Sequence, residues 1–311
     1  MQKDITKIEG PVFPIITPFT AEGLVDYVAV IKYIDFLCLA GAETLYVMAH
    51  ASRVGLLRLE ELVRLNDIVC SHTKSVYPDV TVIAAIPMYG GIAAAIHVAA
   101  VACIAGADLI SVLFTERYYS NEQVVEFYTG IANNIHCGIL VHEEPMNALA
   151  GCTKVQWPLS LLEKVVAIDK VVAIKEDSHE DAFTSQIVHR FKDEVSIIVS
   201  GGGKEQFFKF GPIGCQAYLV GVGSFAPEIA LAFYDTYIYE YPMFSKKIIV
   251  DTEQPFFKVA MGMGWHIALK SAMEHMGIMK RYERMPLKML NEEDHTKIGK
   301  LLIELDFKKG P

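Results

Sequence analysis

The chain has 311 residues, 52% hydrophobic and 21% charged, with 28 Lys and Arg against 37 Asp and Glu. That apolar fraction excludes a disordered chain and supplies a core that needs no disulfide or metal to hold it. The net charge of −9 argues against nucleic acid as the main partner, because phosphate binding needs clustered Lys and Arg.

The first ten residues, MQKDITKIEG, lack the apolar core of a signal peptide, which points to the cytoplasm. Eight short apolar runs follow, each punctuated by glycine or polar residues and then by a helix-period segment. They are FPIITPF (13–19), ETLYVMA (43–49), TVIAAI (81–86), LISVLF (109–114), CGILVHE (137–143), VVAIKE (171–176), VSIIVSG (195–201) and QAYLVG (216–221). The runs are nearly continuous in Val, Ile and Leu rather than alternating, as expected for parallel strands buried on both faces. Between them, segments such as VDYVAVIKYIDFLCLAG repeat apolar residues at three and four, the face of a helix.

Eight such units predict a closed (β/α)₈ TIM barrel of the α/β class. A doubly wound open sheet is the alternative, but no G-x-G-x-x-G follows the first strand. Between Asp79 and Asp108, 28 residues carry no Asp, Glu, Lys or Arg, long enough to span a bilayer. Pro87 and Gly90-Gly91 interrupt them, so a strand, a turn and a buried helix are expected, with no membrane partner. From Glu228 the strand signal stops. Three helical segments are predicted, ALAFYDTYIYEY, SKKIIVDTEQPFFKVAMGMG with a break at Pro255, and HTKIGKLLIELDF. The barrel is therefore assigned to 1–227 and a C-terminal helical region packed on it to 228–311. Lys280 to Arg284, the one dense basic stretch, reads as a solvated face. The six cysteines contain no C-x-x-C and read as buried thiols, with neither a zinc site nor a disulfide framework.

In such a barrel the site lies at the carboxyl ends of the strands. Lys175 ends an apolar run there. Burying an ammonium is costly, so such a lysine tends to lose its proton and become a nucleophile that forms a Schiff base with a ketone. The alternative is a strand-end lysine paired to Glu176 or Asp177, or reaching solvent.

Several motifs in order resemble one family. They are GPVFPIITPFTAEGLVD, GAETLYV followed by LLRLEE, Tyr118-Tyr119 after the fourth strand, GILVH followed by a proline, VVAIKED, and SGGG after the seventh strand. Together they look like the dihydrodipicolinate synthase and N-acetylneuraminate lyase family, over essentially the whole chain. The resemblance implies a homo-oligomer, tetramer or dimer, without cofactor or metal, in which Lys175 forms a Schiff base with pyruvate or another 2-oxo acid. It also implies that Thr17 lies near the site, that Tyr118 or Tyr119 reaches a neighbouring subunit, and that Ser200 and Gly201 line the pocket. The glycine-rich Ser200 to Lys204 segment is alternatively a phosphate cradle.

Two departures from the family pattern bear on mechanism. The family's glycine-containing carboxylate loop is here Ala49, His50, Ala51, Ser52 and Arg53, so His50 or Arg53 by charge and Ser52 by its hydroxyl are the candidate holders; the alternative is that Arg53 pairs with an acidic neighbour on the surface. On the fifth strand the family's proton-relaying tyrosine is aligned with Val141, one extra residue before the proline. His142 and Glu143 are then the candidate acid or base, on opposite faces unless a bulge re-aims them. A metal on His142, Glu143 and Glu144 is not expected, since consecutive strand residues do not converge. The expected function is a lyase or aldolase acting on a 2-oxo acid or sugar acid, not a true dihydrodipicolinate synthase. The alternatives are a catalytically degenerate member that binds such an acid as sensor or assembly partner, and a hydro-lyase acting on a sugar acid.

Overall fold

In the computed structural model, residues 7–116, 120–144, 156–200 and 203–307 are described. Their eight strands are β1 (Gly10–Pro14), β2 (Thr44–Tyr46), β3 (Thr81–Ala85), β4 (Leu109–Val112), β5 (Gly138–Glu143), β6 (Val171–Glu176), β7 (Ser196–Val199) and β8 (Ala217–Leu219). All pair in parallel with their sequence neighbours, and β8 returns to β1, closing the barrel. Almost every strand residue is buried, as the continuous Val, Ile and Leu runs require of strands walled by helices outside and packed side chains inside. Each expected run supplies one strand. β1 alone sits earlier than its run: Pro14, with no N–H, ends it, and the rest of FPIITPF forms the loop bearing Thr17.

The uncharged stretch after Asp79 is β3 and a helix, Gly91–Ile104, and no helix among the described residues is long and apolar enough to cross a membrane. Helix Pro227–Ile238 belongs to the barrel's outer ring. Its Tyr234 ring lies so close to Gly10, whose φ is 75°, that a Cβ there would stand 2.9 Å from a ring carbon. Tyr218 of β8 donates to Ala230 O at 2.8 Å. The expected boundary at 227/228 falls within the first turn of this helix.

Three further expectations change. The helix through Pro255 does not break: Pro242–Ile248 runs into a π-helical turn, Ile249–Glu253, and on into Gln254–Ala260. The Gln254 N–H reaches back five residues to Ile249 O, widening the turn ahead of the proline that lacks a donor. Lys280 to Arg284 is a solvated face only at Lys280, whose side chain is exposed. Arg281 contacts Glu274 and Glu292, the Glu283 side chain is buried, and Arg284 clamps both oxygens of Glu61 at 2.6 and 2.9 Å. Cys103 and Cys137, 5.9 Å apart at Cα, form a disulfide, so the cysteines are not all thiols; Cys38, Cys70 and Cys215 are free, and Cys152 lies outside the described residues. A helix the sequence reading missed, Trp265–His275, brings His266 to the mouth of the barrel and Lys270 beneath Thr17.

Candidate functional site

β5 and β6 place the central groups. Their pairing sets His142 opposite Lys175 and Glu143 opposite Glu176. Side chains two apart on a strand share a face, so His142 and Glu144 project into the barrel mouth with Lys175 and Asp177. Glu176 lies on the outer face, where its oxygens accept from Ser178 N at 2.7 Å and Thr184 Oγ1 at 2.8 Å. Glu143 follows it and faces away from the cavity toward Tyr128. The expectation that Glu143 is an acid or base beside Lys175 is therefore not met geometrically.

The alignment of the relay position with Val141 is corrected too, since Val141 pairs with Ile174 on the outer side and His142 occupies the place facing the lysine. The irregularity that decides this is in β6. Ile139 pairs with Val171 but Leu140 with Ala173, so Val172 is the extra residue. In an unbulged ladder Glu143 would stand opposite Lys175.

Lys175 Nζ is wholly buried, 2.6 Å from Asp177 Oδ2 and 2.8 Å from His142 Nε2. Glu144 Oε2 lies 3.7 Å from the same imidazole nitrogen, and ligand-type atoms of His142, Glu144 and Asp177 all lie within 4.8 Å of one another. Acidic and imidazole groups thus converge after all, from positions two apart, and the ammonium sits against them. Ser200 Oγ donates to Asp177 Oδ1, and His179 Nε2 stands 3.3 Å from that oxygen. Burial alone would raise the Asp177 pKa, but the charge of Lys175 and bonds from His142 and His179 hold it well below the usual carboxylate range. Burial and then the Lys175 charge push His142 down to about 4, against the pull of Asp177, so its imidazole is neutral near pH 7.

The loop after β2 serves a different purpose from the one its residue types suggested. Arg53 is 4% exposed at φ 58°, a left-handed conformation a non-glycine residue adopts at a cost. All five of its donors are spent, on both oxygens of Glu283 and on the carbonyls of His50, Ala51 and His266. No donor is left for a substrate carboxylate. Ser52 Oγ donates to Ile15 O and accepts from Met48 N at 2.9 Å, while Thr17 Oγ1 donates to Ser52 O at 2.6 Å. Neither hydroxyl faces the cavity; both stitch the loops after β1 and β2 together.

Arg53→Ala is expected to lower unfolding free energy by about 3 kcal/mol, the lower end for a broken buried pair because Lys270 Nζ remains 3.5 Å from Glu283. Urea unfolding of the variant checks this.

The cavity over Lys175 measures about 540 Å³. His50, Glu144, Asp177 and Ser200 line it from the barrel, and Glu253, Phe257, Trp265 and His266 from the extension. His50 Nε2 is 2.7 Å from Glu144 Oε2, so that carboxylate, not a substrate, is its partner here. Lys204 is buried with Nζ on Val220 O at 2.8 Å and Glu253 Oε1 at 2.9 Å, which ties the end of the glycine-rich segment to the π-helical turn. Burial raises the Glu253 pKa, and Lys204 opposes it. Tyr118, Tyr119 and Gly201 lie outside the described residues.

Sequence named Asp177 only as a possible ion-pair partner of Lys175 and Glu144 only beside His142 and Glu143, and it did not single out Glu253 or His266. For the first two a signal existed, since each stands two positions beyond an inward strand residue. Glu253 and His266 come from the extension, where no local pattern points to the barrel mouth.

The sequence model of the dihydrodipicolinate synthetase family matches residues 7–305. The chain belongs to this family. The member from Psychrobacter sp. (strain PRwf-1), a 4-hydroxy-tetrahydrodipicolinate synthase, is 24% identical over 298 residues, 94% of this chain and 93% of its own. Among solved structures, a prophage protein of the dihydrodipicolinic acid synthase family from E. coli K12, YagE, crystallised in complex with pyruvate, superposes with TM-score 0.84 at 18% identity over 97% of this chain and 99% of that one. N-acetylneuraminate lyase from Fusobacterium nucleatum gives TM-score 0.84 at 15% identity over 96% and 98%. At these identities the structural likeness establishes the barrel with its C-terminal extension, and this dihydrodipicolinate synthetase family member is a divergent one.

Proposed function

We propose that this protein is a lyase or aldolase in which Lys175 forms a Schiff base with a 2-oxo acid such as pyruvate and His142 handles the protons. The observation that carries the reading is the pairing of a wholly buried Lys175 Nζ, at the floor of the cavity, with a neutral imidazole nitrogen 2.8 Å away. Family membership and the pyruvate complex of the E. coli relative support the substrate class.

In the proposed sequence the Lys175 ammonium first gives up a proton, and the free amine attacks the ketone carbon. The carbonyl π pair moves to oxygen, which is protonated to a carbinolamine. Water leaves, and the iminium nitrogen then accepts the electron pair of the C–H or C–C bond at the neighbouring carbon. His142 Nε2, facing Nζ, takes the proton released from nitrogen or carbon and returns it to oxygen. With Arg53 and Ser52 committed to the loop and His142 in place of a tyrosine, the substrate differs from that of a true dihydrodipicolinate synthase.

The test is borohydride reduction with a panel of 2-oxo acids, followed by intact mass and peptide mapping. A ligand-specific mass gain on Lys175 is the expected result. The second reading, a family member that binds the acid without turning it over, draws on the 2.6 Å contact that ties the lysine to Asp177 as an ion pair. No adduct with any acid in a folded sample is the outcome that selects it. A homo-oligomeric state is part of the proposal and is read by light scattering.

A further inference from the structure

The wall between Lys175 and solvent is graded. The side chains of Lys175 and His142 are 0% exposed, that of Glu144 is 24% exposed and that of His50 is 40% exposed. One carboxylate oxygen, Glu144 Oε2, faces both imidazoles, 3.7 Å from His142 Nε2 and 2.7 Å from His50 Nε2. His142 Nε2 is in turn 2.8 Å from Lys175 Nζ, while its Nδ1 is buried with no hydrogen-bond partner among the described residues. All polar contacts of the buried imidazole run through Nε2: toward Lys175, toward Asp177 Oδ2 at 3.5 Å, a carboxylate already engaged by Lys175 and Ser200, and toward Glu144, through which it reaches the partly exposed ring of His50.

We propose that Glu144 and His50 conduct protons between His142 and bulk water, so that a proton taken at the lysine or at the substrate carbon is traded with solvent. The proposal rests on the Schiff-base reading above and adds two groups to it. The steps balance as single proton transfers. A C–H bond next to the iminium breaks, its electron pair becomes the enamine π bond, and the proton goes to His142 Nε2. From there it passes to Glu144 Oε2, from Glu144 to His50 Nε2, and from His50 to water. Re-protonation runs the same transfers in reverse, and no oxidant, reductant or second reactant is consumed. His142 closes the 3.7 Å gap by a shift of about 1 Å, to reach the 2.7–2.9 Å of a charge-assisted hydrogen bond.

Pyruvate alone in D₂O tests the relay, because deuterium enters the methyl group only if the abstracted proton escapes to solvent before it returns to carbon. Exchange is followed by proton NMR, and adduct formation by borohydride trapping on the same samples. His50→Ala and the nearly isosteric Glu144→Gln are each expected to lower exchange relative to adduct formation by at least about tenfold, since positioned proton transfer contributes about 10²–10⁴. Added imidazole, entering beside the partly exposed His50 position, is expected to restore exchange in His50→Ala. Exchange equal to the wild type in both variants overturns the relay and leaves the Schiff-base reading standing. A loss that imidazole does not restore overturns the conducting role of His50. A wild-type protein that forms no adduct with pyruvate or the other 2-oxo acids removes the Schiff-base reading, and the relay with it.

Discussion

Lys175→Ala is expected to abolish borohydride-trappable adduct and methyl exchange of pyruvate, and to destabilise the fold at the same time. Activity goes because no other lysine lines the cavity among the described residues: Lys204 is held by Glu253 and Val220 O, and Lys270 by Thr17 O and Tyr282 O. Stability falls because the substitution leaves the buried Asp177 carboxylate without its strongest cationic neighbour, and removing one partner of a buried pair costs about 3–5 kcal/mol. The double variant Lys175→Ala/Asp177→Asn separates the two effects. With both charges gone, urea unfolding should return toward the wild-type value while trapping remains zero. Adduct or exchange surviving in the single variant would sink the assignment of Lys175 as nucleophile.

Substitution of His142 comes next in size. His142→Phe is expected to slow pyruvate exchange by about 10²–10⁴, the contribution of a positioned general base. His142→Tyr puts a hydroxyl on the side chain facing Lys175 and should retain more activity than the phenylalanine variant. Val141→Tyr tests the same idea at the wrong face: Val141 is fully buried outside the barrel mouth, so the larger ring should cost about 1–3 kcal/mol by overpacking and leave the mechanism unaltered. A gain of activity in Val141→Tyr would contradict the register of β5.

The same histidine has a pH signature. Its pKa is about 4 in the fold and near 6.5 unfolded, so the unfolded chain takes up the proton first. Its contribution to stability is complete above pH 6.5 and is lost as pH falls to about 4. His142→Phe should flatten that part of the profile when urea midpoints are measured across the window.

Much of this was legible in the chain. Runs of Val, Ile and Leu separated by helix-period segments admit few folds, because a strand apolar on both faces must be covered on both, and the repetition of eight such units closes a barrel. Lys175 stood out for a similar reason, as an ammonium at the end of a run that only a buried strand explains. For Arg53 an acidic partner was one of two readings, but neither its identity nor its burial was legible. Its type and position suited a substrate carboxylate, but its partner Glu283 lies 230 residues further on, and only the folded chain brings the two together.

Local sequence thus determined which segments are the eight strands, and which lysine ends the sixth, because periodicity and burial are properties of short stretches. Tertiary structure decided which neighbour faces that lysine. The extra residue Val172 shifts the β5–β6 ladder by one, and since side chains alternate with a period of two, that shift exchanges Glu143 for His142 in the cavity. It also decided that Glu253 and His266 close the site, through a π-helical turn and a helix whose residues meet the barrel only by long-range packing.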